Sequence, residues 1–264
     1  MLYFYEVINI TIIGTGNVAY HISNACLNHK EINVNQLFGR KNKLPVEFNQ
    51  SINYTSDLES LKTYDLCLIC VSDDQIEHVS NKIQAESHSI ILHCSGSTSI
   101  NVLNHHSNFG VLYPVQTFSL GKKIEFNKIP IAIESNSNEN LKKIKEFASL
   151  LSEKVIEASS EQRQSIHVAA VFTSNFTNYM RIIADEILEK NNIDSKVLNP
   201  LTEETAEKLK FLNPKDAQTG PALRNDTKTI EKHLNLLKNS GHQKIYKMIS
   251  SEITKLKKWI TRKN

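Results

Sequence analysis

The stretch Ile10-Thr11-Ile12-Ile13-Gly14-Thr15-Gly16-Asn17-Val18-Ala19 decides the fold. Its first half is a run of mostly β-branched residues suited to a buried strand, and its second half opens a helical pattern. Two glycines stand between them. Gly14 permits a tight turn, Gly16 lets a pyrophosphate approach the backbone, and Ala19 at the third position keeps helix and strand close. The helix start then offers free N–H groups and a positive dipole end to phosphate. Gly14, Thr15, Gly16, Asn17 and Val18 are therefore the expected phosphate cradle. A lone GxGxxA is also an ordinary tight turn. What favours the phosphate reading is its place at the first strand of an alternating chain.

Outward from that turn the alternation continues. Strands are expected at residues 7–13, 34–39, 65–71, 90–94, 110–113, 129–133 and 155–158, with helix-like stretches at 18–28, 75–84 and 138–151. Several of the strand runs are continuously apolar, as in parallel strands covered on both faces. Strand and helix in repetition predict an α/β domain over residues 1–158, a doubly wound (Rossmann) and mainly parallel sheet. After Ser159 the strand candidates stop. Residues 161–190, 195–212, 227–238 and 242–260 read as helices, so 159–264 is expected to form an all-helical domain for substrate binding and dimerisation.

Composition narrows the function. Of 264 residues 40% are apolar and 22% charged, the balance of a globular protein. Thirty-one Lys and Arg against 28 Asp and Glu leave only +3, which predicts neither a nucleic-acid nor a membrane-surface partner. The apolar runs fall short of the roughly 20 residues of a spanning helix. Met1-Leu2-Tyr3-Phe4-Tyr5 has no basic flank, so no signal peptide is expected. Four cysteines are no disulfide framework and suit the cytoplasm. Cys67 and Cys70 have CxxC spacing, but strand residues three apart face opposite ways, so no metal site is expected.

The end of the second strand distinguishes two cofactors. An NAD site carries a carboxylate there for the ribose 2′-hydroxyl. Here Leu37-Phe38-Gly39-Arg40-Lys41-Asn42-Lys43 has none, and Arg40 and Lys41 offer cations for a 2′-phosphate. The expected cofactor is NADP, against the plainer reading of a solvated lysine-rich loop.

Further motifs carry a family resemblance. Val71-Ser72-Asp73-Asp74-x-Ile76, His93-Cys94-Ser95-Gly96-Ser97 and Tyr113-Pro114-Val115-Gln116-Thr117-Phe118 follow the glycine turn. The second half adds His167-Val168-Ala169-Ala170-Val171-Phe172-x-x-Asn175-Phe176-x-Asn178 and Gln218-Thr219-Gly220-Pro221-Ala222-x-Arg224-x-Asp226. Together they cover nearly the whole chain and resemble the Rossmann-like proteins with a DUF2520 C-terminal domain. More distantly the chain is similar to pyrroline-5-carboxylate reductases, deazaflavin-dependent NADP oxidoreductases and β-hydroxyacid dehydrogenases. The resemblance implies an NADP-binding N-terminal domain and a helical domain that forms a homodimer. It implies no particular substrate.

Residues 164–180 contain no Asp, Glu, Lys or Arg, which a fully solvated helix would carry. At about 100° per residue, Val168, Ala169, Phe172, Phe176, Tyr179, Met180 and Ile183 share one apolar face. Arg163, His167, Ser174 and Asn178 fall within about 60° of one another opposite it, with Asn175 flanking. One reading sets this stripe across the nicotinamide. His167 is then the general acid, because histidine titrates near working pH, and Asn175 and Asn178 hold substrate. The other buries the helix in a dimer interface with its polar groups satisfied. In the β-hydroxyacid dehydrogenases a comparable helix carries a catalytic lysine. Here no lysine lies between Lys154 and Lys190, so that chemistry does not transfer.

Two loops are expected to complete the pocket. Ser95-Gly96-Ser97 follows a buried strand, where α/β sheets bind ligands, so Ser95 is a candidate for both substrate and nicotinamide ribose, and Val71 and Ser72 for the cofactor. Ser72-Asp73-Asp74 is also expected to cap the helix that follows. Arg224 either clamps an anionic substrate or pairs with Asp226. The sequence thus points to an NADP(H)-dependent oxidoreductase of a small, anionic carbonyl, imine or hydroxy compound. A non-catalytic NADP(H)-binding regulator or redox sensor is the alternative.

Overall fold

The computed structural model describes residues 7–260. Its strands are β1 (Ile8–Ile13), β2 (Ile32–Phe38), β3 (Tyr54–Thr55), β4 (Leu66–Ile69), β5 (Ile90–His93), β6 (Phe109–Pro114), β7 (Ile131–Ser135) and β8 (Val155–Glu157). They form one sheet in the order β3-β2-β1-β4-β5-β6-β7-β8. All neighbours are parallel except β6 and β7. The order reverses at β1, which pairs β2 on one side and β4 on the other. That point opens a crevice at the carboxyl ends of the strands. The α/β, mainly parallel sheet expected from the sequence is the one observed.

The central strands are mostly apolar because both faces are covered. Ile10, Ile12, Leu66, Leu68 and Cys70 pack into one core with Ala19, Ile22 and Cys26 of α1 (Asn17–Leu27) and Phe147 of α3 (Asn138–Leu151). Ile13, Cys67 and Ile69 pack into the other with Ile76 of the short α2 (Ile76–Ser80). Cys67 and Cys70 thus lie on opposite faces of the sheet, as the period of 2 requires. Each fully buried isoleucine contributes about 1.5–3 kcal/mol.

Several elements differ from the expectation. The helix expected at 75–84 is a 3-10 turn, Asp73–Gln75, followed by one turn of α-helix, because Ile83 leaves the helical path to pack into the core. The two residues of β3 are too few to leave a periodic signal. The helix expected at 195–212 begins as a 3-10 turn, Ser195–Leu198, and becomes α6 (Asn199–Lys208) where Pro200, lacking an N–H, suits the first turn.

After β8 the chain is helical. α4 (Ser160–Ala170) starts with a capping box in which Ser159 and Gln162 satisfy each other's backbone. A π-helical segment, Val171–Phe176, interrupts the single helix expected at 161–190 before α5 (Thr177–Glu189). Beyond α6 follow α7 (Pro214–Ala217), α8 (Pro221–Arg224), α9 (Thr227–Leu236) and α10 (Gln243–Ile260). The chain packs as two compact units, one ending at Phe176 and the other starting at Thr177. No helix among the described residues is long and apolar enough to cross a membrane.

Candidate active site

The glycine turn has the geometry that its sequence requires. Gly14 has φ +126°, and a Cβ there would lie 2.2 Å from the carbonyl oxygen of Cys70, so only glycine fits. A Cβ on Gly16 would meet nothing within 4 Å, leaving its backbone open to a ligand. Gly16 is the N-cap of α1, no side chain caps the helix, and its first turn has no acidic residue. Its first N–H groups are therefore available to a pyrophosphate. Thr15 and Val18 are half-buried, and Asn17 Nδ2 donates to Phe118 O at 2.9 Å. At the end of β2, Arg40 and Lys41 are exposed. Tyr54 fixes that turn by donating to Lys41 O at 2.6 Å. This donor set fits a dinucleotide with a 2′-phosphate.

The loops after β4 and β5 form the next part of the rim. Ser72 occupies the N-cap position of the 3-10 turn, but its side chain makes no capping bond, contrary to expectation. Asp73 instead reaches across the crevice and accepts a hydrogen bond from Ser97 Oγ. Val71 is half-buried beside it. Ser95 Oγ accepts from the backbone N–H of Ser97 at 3.1 Å and of Thr98 at 3.0 Å, so this oxygen organises its own loop.

Beneath the loop lies Arg163, with no solvent exposure at all. One guanidinium nitrogen donates to the carbonyls of Ser95 (3.0 Å), Gly96 (3.3 Å) and Thr98 (2.6 Å). The other donates to Glu134 Oε2 at 2.9 Å and to Ser160 Oγ. Glu134 also accepts from the backbone N–H and the hydroxyl of Ser160. His93, fully buried at the end of β5, accepts at Nδ1 from the backbone N–H of Ser95. Burial, and then the charge of Arg163, push its pKa down to about 3, so it stays neutral.

His167 stands half-buried above the same loop. Its Nδ1 lies 3.2 Å from the hydroxyl of Tyr113 on β6. A Cβ on Gly96 would lie 2.7 Å from that nitrogen and 2.6 Å from Tyr113 Cζ, so glycine makes room for the pair. Burial pushes the Tyr113 phenol up. The π-helical turn changes the phase of the helix, so the uniform spacing behind the expected stripe does not hold across it. Ser174, within this turn, meets Thr117 hydroxyl to hydroxyl at 2.7 Å. His167, Tyr113, Gln116, Thr117, Ser174 and Asn175 border a cavity of about 450 Å³.

These contacts, with the chain between them, close a ring. It runs from Gly14 to Cys70, through Asp73 to Ser97, across Gly96 to His167 and Tyr113, and back through Ser174, Thr117, Phe118 and Asn17. Tyr113 and the Arg163–Glu134 clamp have no role in the sequence reading, and Asp73 has only that of a helix cap. Their signal lay in motif positions whose partners are far away in the chain.

The remaining candidates belong to the second unit. Asn178, in α5, is exposed. Arg224, the last residue of α8, is exposed and makes no ion pair among the described residues, because Asp226 instead caps α9 by accepting from Thr229. Gly220 has φ +106° and, with Thr219 and Pro221, borders an apolar cavity of about 260 Å³ beside Met180, Ile183 and Ile249. Among the described residues no cluster of His, Cys, Asp and Glu could hold a metal ion.

A Rossmann-type sheet with a cap-free glycine turn and a histidine–tyrosine pair on one rim defines a nucleotide-binding protein of the dehydrogenase architecture. Residues 129–253 match the family model DUF2520, a domain of unknown function. A Bacteroides fragilis protein described as a "putative NADP oxidoreductase" is 37% identical, with a TM-score of 0.87 over 95% of this chain and 99% of that one. The chain belongs to the same family, the Rossmann-like proteins with a DUF2520 domain. A Plasmodium falciparum pyrroline carboxylate reductase with NADP bound shares the fold at 15% identity (TM-score 0.59, 96% of this chain, 99% of that one). So does an Aspergillus terreus reductive aminase in complex with NADPH and ethyl levulinate, at 11% identity (TM-score 0.67, 96% and 99%). No curated protein sequence matches the chain.

Proposed function

We propose that this chain is an NADP(H)-dependent oxidoreductase acting on a small carbonyl, imine or hydroxy compound with an anionic group. The closed ring of contacts carries this reading, because it joins a phosphate-ready helix start to a proton-bearing histidine around one crevice. The description of the Bacteroides fragilis relative supports it. Gly14, Thr15, Gly16, Asn17 and Val18 hold the pyrophosphate and Arg40 and Lys41 the 2′-phosphate. Val71, Ser72 and the Ser95 loop border the nicotinamide ribose. When bound, the reduced nicotinamide supplies a hydride. His167 exchanges the proton, Asn175 and Asn178 orient the substrate's polar groups, and Arg224 clamps its anion through a bidentate fork.

The protein works as a homodimer in this proposal. Val168, Phe172 and Phe176 lie on one side of α4 and the π turn with 56%, 65% and 47% of their surface exposed. Apolar surface of this kind is characteristic of an interface. A cytoplasmic location agrees with four cysteines that form no disulfide.

The test follows NADPH oxidation spectrophotometrically against 2-keto acids and cyclic imines. His167→Ala is expected to lower turnover about 10²–10⁴-fold. Arg224→Ala is expected to raise KM for anionic compounds alone. Tight NADPH binding without turnover on any compound would instead identify a regulatory or redox-sensing protein.

A further inference from the structure

We propose that Tyr113 and His167 form a proton relay in which the phenol, rather than an imidazolium, is the source of the proton delivered to substrate. This rests on the reductase reading above and adds the origin of its proton.

The geometry isolates the pair. Tyr113 Oη lies 3.2 Å from Nδ1, with the two rings 6.1 Å apart at 65°. Among the described residues no other group hydrogen-bonds either that hydroxyl or His167 Nε2. In the relay Tyr113 donates its one proton to the Nδ1 lone pair, which puts the ring proton on Nε2. Gly96 closes the third side, as a side chain there would displace both rings.

The charged and titratable groups around the pair are few. Arg163 lies on α4, Asp73 in the loop after β4 and His93 on β5. Burial, with a smaller contribution from Asp73, raises the Tyr113 phenol against the opposing charge of Arg163. His93 is neutral, held down at about 3. The phenol therefore keeps its proton across the neutral range.

The relay balances. A bound reduced nicotinamide would supply the hydride, with its two electrons, to the substrate carbon. The Nε2–H bond breaks as the substrate heteroatom gains its proton, and Nδ1 takes the proton of Tyr113 Oη. The phenolate regains that proton from Nδ1 as Nε2 takes one from water. One solvent proton is consumed per hydride. A neutral imidazole alone could not do this, since losing Nε2–H would leave an imidazolate.

Two measurements test the relay. The first is nitrogen NMR of protein labelled with 15N-histidine, with His167 assigned through His167→Gln. At pH 8 the expected state is a protonated Nε2 and an unprotonated, hydrogen-bonded Nδ1 whose signal moves in Tyr113→Phe. A wild-type protein protonated on Nδ1, or a signal unmoved by Tyr113→Phe, overturns the relay. The second uses the best compound from the NADPH screen. Wild-type reduction is expected to stay level as pH rises from about 6 to 8, across the histidine range. Tyr113→Phe is expected to be at least about tenfold slower and to decline over that range, because only an imidazolium then remains to donate. A wild type that declines in the same way overturns the relay alone. The NMR signature without turnover on any compound overturns the reductase reading, and the relay's use with it.

Discussion

The two units of this protein bury their side chains very differently. In the sheet unit most residues of the central strands are inside, and even Arg163 lies there with its charge matched by Glu134 and three carbonyls. From Thr177 onward, only Ile183, Ala222 and Leu237 are buried apolar residues among those described. In the same stretch Leu201, Phe211 and Met248 are 62%, 83% and 63% exposed. The sheet unit holds a complete core. The helical unit holds amphipathic helices with exposed apolar side chains, which the proposed homodimer would cover with a second copy of the chain.

The strongest way to break this contrast is to strike the sheet unit where it is most dependent on a single contact. Arg163→Met leaves Glu134 without its cation and three carbonyls without their donor. A loss of about 3–5 kcal/mol in urea unfolding is expected, because a buried charge is left uncompensated. A loss below about 1 kcal/mol would mean that the clamp only decorates the fold. Next comes the apolar surface of the π turn at the end of the sheet unit. Phe172→Asp with Phe176→Asp should weaken self-association at least about a hundredfold, at the upper range of interface hot spots. The readout is mass in solution. A wild-type protein that is monomeric at all concentrations would remove the second copy from the argument.

A third difference is in acid response. His93 is buried and neutral, with a folded pKa of about 3 against an ordinary value of 6.5. Below 6.5 the unfolded chain binds a proton that the folded chain refuses, so stability falls with pH, beginning near 6.5 and continuing toward 3. From pH 6.5 to 5 this amounts to about 2 kcal/mol. His93→Gln should flatten that part of the stability curve, as followed by thermal melting. An unchanged slope would place the acid sensitivity elsewhere.

The same contrast governs how much was legible in the sequence. The strands were readable because burial on both faces demands continuous apolar runs, and 138–151 was matched to the residue because Ser137 caps its start. The glycine turn was readable because Gly14 and Gly16 are steric requirements of a local motif. The rest of the site was not, because its geometry depends on partners distant in the chain. Tyr113 and His167 are 54 residues apart, and Arg163 stands 65 to 68 from the carbonyls it holds. The π turn escaped for another reason. It changes phase without changing composition, so a uniform helical wheel carried Asn178 into line with His167 across a break it could not register.

The smallest expected effect concerns the open edge of the sheet unit, where the buried order gives way to solvent. Arg40 follows β2 on a turn held by Tyr54 and is itself exposed, so replacing it disturbs no core. An exposed charge in water contributes little to stability, and Arg40→Ala should leave the unfolding curve within about 0.5 kcal/mol of wild type. Its value lies in recognition. A guanidinium can meet a 2′-phosphate with two parallel N–H donors, while a 2′-hydroxyl offers it no comparable charge. Arg40→Ala is therefore expected to weaken NADPH about tenfold in a fluorescence titration, roughly 1.4 kcal/mol, and to leave NADH unchanged. Lys41 remains to bind part of the phosphate charge, which is why the expected loss is one order of magnitude rather than several. Equal affinity of the wild type for the two cofactors would show that these cations face solvent, and that the missing carboxylate at the end of β2 has no bearing on choice.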